Sequence, residues 1–139
     1  MKAGIRMRCA ACVTLSSLLF VQGWGQTPAA TQAKNFKNPG PADAASLSTG
    51  QKLYAKACAV CHGQTGKGDG PVVKSLKPDA TKPSNLADDK WDYGSSDGEM
   101  FVAIRDGIGP KFEMKGQKGK ITDREIWDVV NYVRSLDIK

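Results

Sequence analysis

Two stretches of this 139-residue chain are too long and too polar to be ordinary connections: KPDATKPSNLADDKWDYGS, from Lys77 to Ser95, and GIGPKFEMKGQKGKI, from Gly107 to Ile121. The segments around them look helical and short. Three starts pair a hydroxyl residue with Glu or Gln three positions later, Ser48 with Gln51, Ser96 with Glu99 and Thr122 with Glu125, so that the two side chains satisfy amides otherwise orphaned at a helix N-terminus. These starts predict helices near 48–61, 97–106 and 123–136, the second closed by Gly107. A short helical turn is expected after Pro71, at VVKSL, because proline suits the first helical position. No segment alternates apolar and polar residues for long enough to read as a strand, so the class is all-α. Three helices this short bury too little surface among themselves to form a core. The long loops make sense if they wrap a large apolar filler.

Four cysteines and one histidine are the chemistry available. Cys9 and Cys12, in CAACV, open an apolar run that follows Lys2, Arg6 and Arg8 and precedes VQGWGQ, whose small residues suit a signal peptidase. Residues 1–25 therefore read as a cleaved secretory signal, and the chain as exported to the periplasm. The apolar run falls short of the roughly 20 residues of a spanning helix; retention of the signal as an anchor is the alternative. Its loss lowers the net charge from +6 to +3, too mild a balance to argue for nucleic acid. Residues 26–46, rich in Ala, Pro, Asn and Gln, read as a flexible or extended lead-in, and 47–139 as one domain.

The mature chain keeps Cys58 and Cys61, in KACAVCHG, with His62 directly after them. On the last turn of a helix, residues three and four apart share a face, so both sulfurs and the imidazole are presented together. Cys-x-x-Cys-His is the signature of c-type haem attachment, in which each thiol adds to one porphyrin vinyl and the adjacent His binds the iron. A thioredoxin-like pair would need strands around it, and a zinc site a second Cys pair or a second His. A plain disulfide would suit an exported chain, but haem alone also supplies the filler. One haem c, tethered through Cys58 and Cys61, is the expected cofactor. Gly63, Gly66, Gly68 and Gly70 match no phosphate-binding pattern and are expected to let the chain turn against a flat macrocycle.

From about Ser48 to Leu136 the chain resembles a class I monohaem cytochrome c of the bacterial, exported kind. Gly50 and Tyr54, eight and four positions before Cys58, are similar to that family's helix-packing glycine and aromatic, and Val129 and Tyr132 to residues of its C-terminal helix. The resemblance implies a small cytochrome c fold, with three main helices and long loops around the haem and the first and last helices crossing at Gly50. Ile126, Val129, Val130 and Val133 recur at helical spacing and form the packing face. The segment CHGQTGKGDGP resembles a bacterial version of the motif, which implies that the carbonyl of Pro71 accepts the Nδ1 proton of His62 and raises its donor strength.

Met100 and Met114 are the candidates for the second axial ligand. Met100 sits in a helix beside Phe101, Val102 and Ile104, where a core thioether is the ordinary expectation. Met114, between Glu113 and Lys115 in a polar loop, has no evident reason for burial unless iron holds it. Its place also matches the family's distal Met, although Lys115 stands where the family often has proline. With His62 and Met114 bound, iron has no vacant position, so the expected function is single-electron transfer rather than catalysis, free or within an oxidoreductase complex. Lys111, Lys115, Lys118 and Lys120 would steer an acidic redox partner toward this side, or simply solvate the loop. The alternative is a haem enzyme or gas-binding module with an open or labile distal position.

Overall fold

The computed structural model describes residues 32–109 and 113–136. The expected signal, residues 1–25, lies outside the described residues. In chain order the elements are α1 (Ala44–Ala57), α2 (Ala59–His62), a 3-10 helix (Pro71–Ser75), α3 (Asp97–Asp106), β1 (Gly107–Ile108), β2 (Met114–Lys115) and α4 (Asp123–Leu136). The fold is the expected helical one, with α1 and α3 both packed against α4.

Three local features differ from expectation. First, α1 starts at Ala44, ahead of the Ser48–Gln51 pair, because Asp43 caps it by accepting a 2.8 Å bond from the Ser46 amide. Ser48 and Gln51 then lie inside the helix, where amides need no cap. Second, the single helix expected through residue 61 is two helices. Cys58, at φ −112° and ψ −38°, ends α1 and opens the single turn of α2. Third, a minimal antiparallel ladder pairs Gly107 with Lys115 and Ile108 with Met114. It is too short to produce the alternation that identifies a strand in sequence.

The other two capping boxes form as predicted. Ser96 N donates to Glu99 Oε2 at 3.0 Å and Glu99 N to Ser96 Oγ at 3.2 Å; Thr122 and Glu125 repeat the pattern at 2.8 and 3.2 Å. Bonds from the Ser96 and Thr122 backbone amides, then from their hydroxyls, hold the two carboxyls below their ordinary value of 4.5. A folded-state value below the unfolded one means that this stabilisation is complete above pH 4.5 and is lost as pH falls through the folded value. In urea titrations from pH 7 to pH 3, the double variant Glu99→Gln, Glu125→Gln should therefore lose less stability than the parent. An unchanged acid slope would show that the boxes are electrostatically idle.

The core forms where α1 crosses α4. Tyr54, Ile126, Val129 and Val130 are almost completely buried there, and Tyr54 packs on Tyr132 with ring centroids 5.2 Å apart. Phe101 of α3 stacks on Trp127 at 4.3 Å. At the far end of α4, Arg134 donates to Asp97 Oδ1 at 2.8 Å and to the carbonyl of Ser95, and lies over the Trp91 ring. That side chain ties the first long loop to both α3 and α4.

Residues 32–43 differ from the flexible lead-in that their composition predicts. Ala33 is buried and Phe36 meets Phe101 edge-on at 6.5 Å. Asn38 donates to Asn131 Oδ1 at 2.6 Å, Asn131 to Ser46 Oγ at 2.8 Å, and Ser46 to Asp128 Oδ1 at 2.6 Å. Polar residues lie inside here because each satisfies another, a compensation that depends on partners distant in sequence.

Candidate functional site

Cys58, Cys61 and His62 meet at the junction of α1 and α2. The amides of Cys61 and His62 both donate to the Cys58 carbonyl, at 3.0 and 2.9 Å, so the three side chains project from one tight turn. Both thiols are free and half-buried. Burial, and then the neighbouring Cys61, push the Cys58 thiol up to about 11.

Backbone bonds behind this turn fold the following loop back over it. Gly68 N donates to the His62 carbonyl at 2.9 Å and Gly70 N to that of Cys61 at 3.0 Å, while Leu86 N reaches Gly66 O at 2.6 Å. The last of these brings Ser84 to the imidazole, with His62 Nδ1 3.1 Å from the Ser84 carbonyl. This corrects the expectation for Pro71. Gly70 directs Pro71 into the start of the 3-10 helix, and the acceptor comes from the later loop. A carbonyl only accepts, so Nδ1 carries the proton and Nε2 keeps its lone pair. Burial lowers the pKa of His62, partly opposed by the Ser84 bond. The ring is therefore neutral and poised as a ligand.

These groups open onto a cleft of about 670 Å³, counting its mouth, within the range of cofactor sites. Cys58 and His62 line it from α1–α2, Leu86 and Trp91 from the first long loop, Met100 from α3, and Met114 from β2. Both long loops thus contribute large apolar side chains to the cleft, Ile108 joining Met114 from the second. Trp91 and Tyr93 were not singled out in the sequence; two aromatic residues within a loop rich in Asp and Lys were the available signal. The two methionines differ in setting. Met100 is buried in the core cluster, whereas Met114 is half-buried at its border. Lys115, Lys118 and Lys120 are exposed, and Lys111 lies outside the described residues.

Haem c fits these residues. Two free thiols and a neutral imidazole sit on one turn, its lone pair is free, and the cleft beside them is lined mainly by apolar side chains. Among the described residues no group of three His, Cys, Asp or Glu side chains could hold a bare metal ion instead. The fold and cleft define a c-type haem protein. A family model described as Cytochrome c matches residues 47–137, and the chain belongs to the cytochrome c family. It binds one haem c covalently through Cys58 and Cys61, and its chemistry is electron transfer.

The chain is 33% identical over 101 residues to the cbb3-type cytochrome c oxidase subunit CcoP of Rhodobacter capsulatus, covering 69% of this chain and 31% of that protein. It thus spans about a third of the length of that curated relative. Among solved structures it is similar to the Kuenenia stuttgartiensis reducing HAO-like protein complex Kustc0457/Kustc0458, with a TM-score of 0.61 and 25% identity over 77% of this chain and 55% of that one. It is also similar to cytochrome cL of Methylophaga aminisulfidivorans, with a TM-score of 0.53 and 25% identity over 79% of this chain and 68% of that one.

Proposed function

We propose that the chain is a periplasmic carrier of single electrons, with His62 and Met114 as the axial ligands of its haem. The observation that carries this reading is that the neutral His62 ring and the Met114 thioether line one cleft although they come from elements far apart in the sequence. Bound haem supplies a one-electron iron couple, whose potential a thioether ligand raises relative to two imidazoles. The chain's own contribution is to hold the His62 ring through the Ser84 carbonyl and to shield the cleft with Leu86, Trp91 and Ile104. The signal-like residues 1–25 support export. Exposed Lys115, Lys118 and Lys120 support an acidic partner protein, and the likeness to an oxidase subunit supports a place within an oxidoreductase complex.

An optical spectrum of the ferric holoprotein tests the ligand pair. A low-spin spectrum with a sulfur-to-iron charge-transfer band is expected, lost in Met114→Ala and kept in Met100→Ala. A high-spin resting spectrum that shifts readily with added ligand would instead establish an open-iron enzyme or gas-binding module.

A further inference from the structure

We infer that Gly116 is a positioning residue for Met114, because its bare Cα lets the strand carrying Met114 dock onto the last carbonyls of α3. The inference rests on the reading of Met114 as axial ligand and goes beyond it by naming what holds the sulfur in place.

The final carbonyls of a helix have no partner within the helix. In α3 two of them are satisfied by the residues that follow Met114: Gln117 N donates to Ile104 O and Lys118 N to Arg105 O, each at 2.9 Å. Between these bonds and Met114 stands Gly116, packed so closely on α3 that a Cβ there would lie 2.7 Å from Arg105 O and 2.8 Å from Asp106 O. Both neighbours are backbone atoms, which cannot swing aside as a side chain can. The strand also pairs with Gly107, whose φ of +88° turns the chain out of α3, and where a Cβ would meet Met114 O at 2.5 Å. Met114 is thus held by its pairing with β1 and, through residues 116–118, by the end of α3. The same helix presents Met100 and Ile104 to the cleft, so docking on α3 fixes the sulfur relative to the cleft wall. Lys115 adds no rigidity of its own, since its side chain is exposed. The backbone dock holds the strand instead.

Any side chain at 116 must move the strand away from α3, and Met114 moves with it. The test compares the parent holoprotein with Gly116→Ala, Gln117→Pro and Met114→Ala, following haem content, helical circular dichroism, the sulfur-to-iron band and affinity for added imidazole. Gln117→Pro removes the amide that bonds Ile104 while placing no atom at position 116, so it probes the same dock if Gly116→Ala does not accumulate as holoprotein. Both dock variants should keep their haem and helicity, lose most of the band at neutral pH, and bind imidazole at least about tenfold more tightly, because the ligand-accessible state is more populated. The inference is overturned if Met114→Ala loses the band while the dock variants keep it and bind imidazole as the parent does. Retention of the band in Met114→Ala would instead overturn the ligand assignment on which the inference stands.

Discussion

Gly50→Ala should destabilise the holoprotein by about 3 kcal/mol or more, and Gly50→Val should prevent it from accumulating in folded form. A Cβ at position 50 would lie 2.0 Å from the carbonyl oxygen of Asp128 and 2.8 Å from Cβ of Tyr132. Neither can yield without separating α1 from α4. The better helix propensity of alanine offsets only about 1 kcal/mol, less than the overlap costs. The damage would also reach the haem site, because Tyr54 on α1 and Val129 and Val133 on α4 line its cleft. Urea unfolding of parent and variant holoproteins measures the effect. A loss below about 1 kcal/mol, the median for an arbitrary substitution, would mean that the crossing is looser than the backbone contact implies.

The second large effect concerns the protein without its haem. Cys58→Ala combined with Cys61→Ala, purified free of haem, should lose cooperative unfolding, keep part of its helical signal, lose its near-ultraviolet dichroism and bind a hydrophobic dye. Burial of a large apolar side chain is worth about 1.5–3 kcal/mol, and Leu86, Trp91, Ile108 and Met114 all face the cleft. Their sum approaches the whole stability of a small domain, about 5–15 kcal/mol. With the cleft open to water, the two long loops have nothing to cover, whereas the α1–α4 crossing retains its own contacts. Unfolding as cooperative as that of the parent, at the same midpoint, would show that the domain supports itself without the cofactor.

Legibility in the sequence followed the range of the interactions involved. The Ser96–Glu99 and Thr122–Glu125 boxes join residues three apart, so their spacing alone located two helix starts. The Ser48–Gln51 pair has the same spacing, yet an earlier cap at Asp43 displaced it. Burial of Ser46 with Asp128 and Asn131 favours that earlier start, through partners more than eighty positions away. The Met114 strand was equally hidden, because its pairing occupies two residues on each side.

The haem attachment point and the all-α class were determined by sequence, since covalent tethering and capping act over one or two turns. The crossing at Gly50 was legible only through the family resemblance, because it joins helices far apart in the chain. Only the tertiary structure decided that Ser84 rather than Pro71 orients His62, because an acceptor 22 positions away depends on how the loop returns. It likewise decided that residues 32–43 belong to the packed body, and that Met114 shares a cleft with His62 by leaning on the end of α3. The packing of 32–43 rests on side chains whose partners are distant in sequence, and the other two rest on backbone carbonyls and amides brought together from distant segments. Every residue carries those groups, so no residue type marks them in advance.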